Sequence, residues 1–407
     1  MRPATESHQP QRTVKDNMDL TFSPADQEFR ARVRDWLAVH TPRQPRPEDG
    51  LAMREFDLAW QRAKFAGGWG GIAWPKEYGG AGLSAVHQMI WYEECARANA
   101  PGVGCLSITL NHAGPTVVAF GTPDQKAFHL PRILGGEVLW CQGFSEPGAG
   151  SDLASLALRA EVRGDHLVLN GQKIWTSHAH LADFQETLVR TDASGPKHRG
   201  ITWLIVDMRA PGITIRPIET LLPGYRHFCE VFYDEVRVPL SNVVGAIDQG
   251  WKVAMSTLAF ERGDTAVSSA LEMTRILDEL LELARHTRDA RGRPLIENET
   301  IAAQLAQHRA DAAALRAMGY GAVSRARGDK PPGPESAMVF LHFGELLQRV
   351  RATGMEILGA DALALAGEGG GWPNRFLTDR MFVIAGGSAE VRRNIIAERM
   401  LGLPRSY

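Results

Sequence analysis

Apolar positions in the first third of the chain recur at helical spacing. Phe29, Val33, Trp36 and Leu37 fall at i, i+4, i+7 and i+8, one stripe of a helix. Ahead of them, Ser23-Pro24-Ala25-Asp26 supplies a capping hydroxyl, a proline suited to the first helical position, and an acid at the positive helix end. The helical period returns over 51–67 and 84–99, on either side of Trp74-Pro75-Lys76-Glu77-Tyr78-Gly79-Gly80. Residues 18–139 are therefore expected to form a helical domain, with Trp91 and Tyr92 in its core. Residues 1–17 are polar and offer little to bury, which reads as a disordered lead.

Near residue 140 the period shifts from helix to strand. His166-Leu167-Val168-Leu169 and Gln172-Lys173-Ile174-Trp175 flank Asn170-Gly171, a dipeptide that favours a two-residue hairpin turn. Apolar runs over 201–206, 212–215 and 229–238 read as further strands, so 140–243 is expected to be a compact antiparallel β domain. From Gly250 the pattern is helical again. Leu277, Leu280, Leu281 and Ala284 share one face, as do Ile301, Leu305, His308, Ala312 and Leu315. Asp329-Lys330-Pro331-Pro332-Gly333-Pro334 breaks one helix from the next, and the alanine density suits closely packed helices. The fold class expected is α+β: a helical domain, a β domain, and a four-helix bundle over 244–407.

Composition narrows the partners. With 407 residues, 44% hydrophobic and 23% charged, the chain has room for two or three packed domains. A net charge of −2 gives no long-range attraction for nucleic acid or acidic membranes. The four cysteines show no C-x-x-C spacing and no histidine cluster, so no metal site is expected, and a reduced, cytoplasmic setting fits. No apolar run is long enough to span a bilayer, and the N-terminus carries no apolar core of an export signal.

Candidate chemistry centres on Trp140-Cys141-Gln142-Gly143-Phe144-Ser145-Glu146-Pro147-Gly148-Ala149-Gly150-Ser151-Asp152-Leu153. Glycines let backbone N–H groups approach a ligand, and Ser145 and Ser151 add hydroxyls. On loop chemistry alone, a plain surface turn is an equal alternative. The stretch from Ser145 to Asp152 resembles the flavin-loop signature of the acyl-CoA dehydrogenase family. Leu169-Asn170-Gly171-Gln172-Lys173-Ile174-Trp175-Thr176-Ser177 resembles that family's second flavin-contacting stretch. Gly386-Gly387-Ser388-Ala389-Glu390-Val391-Arg392-Arg393-Asn394-Ile395-Ile396 resembles its C-terminal motif. The likeness covers roughly Met18 to Pro404, and within the family it resembles bacterial members such as pimeloyl-CoA dehydrogenase large subunits.

The resemblance implies FAD between the β domain and the bundle, with a neighbouring subunit over the adenine end. It places Gln142, Phe144, Ser145, Gly150 and Ser151 in the flavin cradle, Ser151 also facing substrate. Trp175 is implied to flank the ring, with Thr176 beside it and Ser177 near N5. Arg288 matches a pyrophosphate contact, although on residue type alone it could be a solvated helix-end charge. Ser388 and Glu390 match the adenine side, and Arg262 a place beside substrate.

The base departs from the commoner pattern. Where many relatives carry a catalytic glutamate near the C-terminus, this chain has Gly386, which cannot titrate. A second branch, including isovaleryl-type enzymes, places its glutamate before an arginine on the first long helix of the C-terminal domain, and Leu258-Ala259-Phe260-Glu261-Arg262 matches that arrangement. Trp251, Met255 and Leu258 mark one side of this helix, and Val253, Phe260 and Val267 the other. Glu261 thus reads as buried, which would raise its pKa towards the range useful for proton abstraction. A structural pairing with a neighbouring arginine is the alternative.

Other constellations fail. Ser145, His178 and Asp183 lack a G-x-S-x-G elbow, Gly369-Gly370-Gly371 lacks a following G-K-[ST], and no basic run interleaves with aromatics. The function expected is FAD-dependent α,β-dehydrogenation of an acyl-CoA to the enoyl-CoA, within lipid catabolism, with electrons passing to an electron-transfer flavoprotein. Assembly is expected as a homodimer or homotetramer, or with a second dehydrogenase subunit. The alternatives are a non-catalytic or half-site subunit of such a heteromer, and a flavin oxidase acting on a non-CoA substrate.

Overall fold

The structure is a computed structural model and describes residues 22–222, 225–260, 265–326, 334–365 and 371–405. The polar lead, the break at 329–333, Glu261 and Arg262 lie outside the described residues.

Five helices form the N-terminal part: α1 (Pro24–His40), α2 (Gly50–Ala66), α3 (Ala85–Arg97), α4 (Gly114–Phe120) and α5 (Pro123–Leu134). Ser23 caps α1 as its sequence requires. The Ser23 Oγ accepts from the Asp26 N–H, and the Asp26 carboxylate accepts from the Ser23 N–H. Phe29, Val33 and Leu37 are buried against Trp60, Ile90 and Trp91, so the predicted stripe is the face that packs. Four tryptophans meet here, with the Trp69 and Trp91 ring centroids 5.0 Å apart.

A seven-stranded sheet follows, built from β1 (Trp140–Gly143), β2 (Arg159–Arg163), β3 (His166–Ser177), β4 (Phe184–Arg190), β5 (Ile201–Asp207), β6 (Ile213–Pro217) and β7 (Phe228–Pro239). Its order is β1-β4-β2-β3-β7-β6, with β5 on the other edge of β4. Most pairings are antiparallel, as expected. The exceptions lie along β4, which runs parallel to β1 and meets β2 in parallel at Arg159–Arg190.

The expected hairpin at Asn170-Gly171 is not formed. Strand β3 runs through that dipeptide, and the turn lies earlier, where Arg163 pairs with His166 around a left-handed Gly164. Asn170-Gly171 instead makes a bulge against β7. The Asn170 side-chain amide donates to Glu235 Oε1 at 2.7 Å, and its carbonyl accepts from the Glu235 N–H at 3.0 Å. These bonds hold Glu235 at φ 51°. Long-range pairing with β7 therefore outweighs the local turn preference.

The C-terminal part contains α6 (Gly250–Phe260), α7 (Thr265–His286), α8 (Glu299–Ala326), α9 (Glu335–Leu358), α10 (Trp372–Thr378) and α11 (Ala389–Ile395). The long helices α7, α8 and α9 pack on one another through Leu277, Leu280, Leu305, Leu315, Leu346 and Val350. The short helices α10 and α11 both pack against α9. Helix α6 leaves the sheet and lies against α4, tied to it by a buried Thr116–Thr257 hydroxyl bond of 2.8 Å.

Candidate active site

The glycine-rich loop is a braced platform. The Glu146 N–H donates to the Ala149 carbonyl and the Ala149 N–H to the Glu146 carbonyl, closing a tight turn with Pro147 and Gly148 exposed at its corner. The Ile174 N–H donates to the Ser145 carbonyl at 3.0 Å, tying the loop to β3. Beneath the turn, the fully buried Lys173 ammonium donates to Glu146 Oε1 at 2.7 Å and to the Phe144 carbonyl at 3.0 Å. The Glu146 carboxylate also accepts from the N–H groups of Ala157 and Leu158. Burial pushes the Lys173 ammonium down to about 8, with Glu146 opposing that shift, so it remains charged at neutral pH. Both residues stand in the family-like stretches, yet sequence reasoning assigned them no role. A charge inside a β-strand pattern was the signal available.

The side chains of Gln142 and Phe144 turn inward. Phe144 belongs to the core. The Gln142 Nε2 donates to the buried Glu186 carboxylate at 2.7 Å and lies 3.0 Å from His112 Nδ1. His112 comes from a π-helical turn, Thr109–Ala113, whose Thr109 hydroxyl accepts from the Trp140 N–H. Such turns often mark functional sites. Ser145 is half-buried, while Gly150 and Ser151 are exposed at the end of the loop.

The end of β3 presents an open aromatic face. Trp175 has φ 61° and is 56% exposed, its ring edge-on to Phe228. The register of β3 shifts between Lys173 and Thr176, and this second bulge throws the indole out of the sheet. Thr176 Oγ1 is buried with no partner among the described residues, and Ser177 is half-buried beside it. An unpartnered hydroxyl, an open indole and an exposed glycine loop, assembled on β3, fit a planar, hydrogen-bonding cofactor such as a flavin. Next along, His178 and His227 stack edge-on at 4.2 Å. Burial lowers these imidazoles to about 3 and about 4, so both are neutral here.

The residues expected at the adenine end are not brought to this platform within one chain. Arg288 is exposed near a bridge to Pro294, Ser388 caps α11 through the Val391 N–H, and Glu390 is exposed. No described hydrogen bond links any of the three to 142–151. Gly386 lines a small pocket with Phe340 and Ile395.

A second cavity, of 370 Å³, lies among the N-terminal helices and the end of α6. Trp69, Trp74, Trp91 and Leu110 line it, with Asn111 from the π-helical turn and Phe260 from α6. Its size and apolar lining suit an organic ligand. Trp91 and Tyr92, read from sequence as core, both border it, although Trp91 is itself buried. Phe260 is the residue before Glu261.

Comparison with known proteins places this architecture. Residues 23–137 match the N-terminal domain of acyl-CoA dehydrogenases, 141–236 the middle domain, and 248–401 the C-terminal domain. The chain belongs to the acyl-CoA dehydrogenase family, oxidoreductases whose members are FAD-dependent flavoproteins. It is 42% identical over 394 residues to the acyl-CoA dehydrogenase IpdE1 of Mycobacterium tuberculosis, covering 93% of this chain and 98% of that one. Among solved structures it resembles a chain of the ChsE4-ChsE5 complex from Mycobacterium tuberculosis, with a TM-score of 0.81, 35% identity, and coverage of 95% and 100%. It also resembles a chain of the Tcur3481-Tcur3483 steroid ACAD, with a TM-score of 0.81, 33% identity and the same coverage.

Among the described residues, no helix is long and apolar enough to cross a membrane, and no group of three or more His, Cys, Asp or Glu could hold a metal ion.

Proposed function

We propose that this chain dehydrogenates a bulky acyl-CoA across its α and β carbons, with Glu261 as the base that takes the α proton. The observation that carries the reading is the cavity bordered by Phe260, the residue next to Glu261, in a chain that also carries the braced loop and open indole of β3. When bound, FAD supplies the acceptor for the hydride that leaves the β carbon.

The chain's own work is positioning and proton transfer. The cavity takes the acyl group out of water, and the Thr116–Thr257 bond fixes α6 four residues ahead of the base in the sequence. Glu261 accepts the α proton as the double bond forms. The hydroxyls of Ser145 and Ser177 and the edge of Trp175 orient the flavin ring, with Gln142, Phe144, Gly150 and Thr176 shaping the platform. Ser151 and Arg262 are assigned to the substrate side. Arg288, Ser388 and Glu390 are assigned to the adenine side through a neighbouring subunit, which agrees with the exposure of Arg288 and Glu390 on the bundle.

Assembly with a second dehydrogenase subunit is supported by the two-protein names of the similar structures, and a bulky acyl group by the word steroid in one of them. An electron-transfer flavoprotein is the proposed electron acceptor. The four free cysteines go with a cytoplasmic setting.

The test is bleaching of the bound flavin by a panel of acyl-CoAs, with wild type against Glu261→Gln. The substitution keeps the shape and removes the base, so reduction should slow by about 10²–10⁴-fold with FAD content unchanged. Near-wild-type reduction would remove Glu261 from the role.

A further inference from the structure

The cavity beside Phe260 contains a charge that no described group answers. Lys64, in the last turn of α2, is 8% exposed and lines the cavity. No described group accepts a hydrogen bond from its ammonium or pairs with it as an ion. Of the two acids on the same helix, Glu55 pairs with Arg62 and Asp57 is also engaged. Its two oxygens accept from Arg46 at 2.6 Å each, and one also accepts from the Cys105 N–H. The Cys95 thiol is pushed up to about 12 by burial and so offers no anion. The Trp60 ring centre stands 6.0 Å from the Lys64 ammonium, at the limit of a cation–π contact.

A buried lysine is normally paired. Burial lowers Lys64 to about 8, so it remains mostly cationic at neutral pH. Much of the remaining wall is aromatic: Trp69, Trp74, Trp91, Tyr92 and Phe260. A plain alkyl chain in this cavity would surround the ammonium with hydrocarbon and give it no acceptor. Lys64 enters from α2, whereas Phe260, adjacent to the assigned base, enters from α6.

We propose that Lys64 is a specificity-determining residue whose ammonium receives an acceptor oxygen carried by the acyl group away from the thioester, as a carboxylate or a carbonyl. The substrate class is thus an oxygenated, bulky acyl-CoA. This rests on the dehydrogenase reading above and names the kind of acyl group it acts on.

The experiment is titration of the FAD-loaded protein with unreactive CoA thioethers of matched size, ending in a carboxylate, a ketone or a methyl group. Wild type should bind the better oxygenated ligand about tenfold to a hundredfold more tightly than the methyl one, the range of a hydrogen bond to a charged group. Whichever oxygenated arm gains more identifies the acceptor. Lys64→Met should erase the ratio while the melting temperature holds or rises, because a charge that no described group pairs is removed from the cavity wall. Equal wild-type affinity for all three ligands would overturn the proposal. So would a Lys64→Met protein that melts lower yet still discriminates, since the lysine would then be structural. Discrimination among the thioethers, together with no flavin bleaching by any member of the acyl-CoA panel above, would sink the dehydrogenase reading and leave Lys64 as the selector. Failure of every thioether to bind would sink both.

Discussion

The Lys173 ammonium sits 2.7 Å from the Glu146 carboxylate, beneath the loop that presents Ser145 and Ser151. The pair joins β3 to the loop at a depth that water does not reach. Each side of the platform is thereby fixed relative to the other before any ligand arrives.

Removing one partner of that pair should be costly. Lys173→Met leaves the Glu146 carboxylate buried with only backbone donors, and a loss of about 3–5 kcal/mol is expected in urea unfolding. The double variant Glu146→Gln/Lys173→Met should recover much of it, because no isolated charge remains.

Cofactor retention should separate from stability at two positions. Ser145→Ala removes one hydroxyl and should weaken FAD binding by about 1 kcal/mol, read by ultrafiltration and flavin absorbance. Trp175→Ala removes a ring that is 56% exposed. The FAD-free protein should melt almost unchanged, while the rate of FAD loss increases.

Acid should destabilise the fold through buried imidazoles. Burial lowers His129 and His227 to about 4 and His178 to about 3. Below about pH 6.5 the unfolded chain takes up protons that the folded chain refuses. Stability present above that pH is therefore lost as pH falls towards 4, by up to about 1.4 kcal/mol per pH unit for each histidine. His129 packs among Phe128, Trp140 and Phe184, so His129→Phe should reduce the difference in urea midpoint between pH 7 and pH 5.

The bulge in β3 has a specific latch. Asn170→Ala removes both hydrogen bonds to Glu235 and leaves that residue at φ 51° with its carboxylate held by Arg163 but its N–H no longer bonded to a side chain. A loss on the order of 1 kcal/mol is expected by thermal unfolding, with faster amide exchange over 169–173 and 233–236.

Local signals in the sequence carried far. The capped stripe of α1, the strand runs of β5 and β7, and the buried faces of α7 and α8 are periodic enough to be read without neighbours. The Asn170-Gly171 hairpin misled because its turn preference is local, whereas the pairing of β3 with β7 joins residues as far apart as His166 and Pro239. The loop motif was legible, but its support was not. Lys173 lies within a strand pattern, and only the three-dimensional fold shows that it reaches Glu146. Trp91 and Tyr92 belong with the α1–α3 core as their periodicity suggested, and what the sequence did not show is that both also border a cavity. Lys64 gave no sequence signal, since a lysine in the last turn of a helix ordinarily complements the helix end in water.

The left-handed backbone at Trp175 has a consequence for anyone improving this protein by selection. A non-glycine residue held at φ 61° carries a conformational cost of about 1–3 kcal/mol, which Trp175→Gly would relieve. That substitution also deletes the indole. Heat screens run on cofactor-free material would therefore favour glycine at 175 and enrich sturdier, colourless protein, whereas the same screen run with excess flavin would retain the tryptophan.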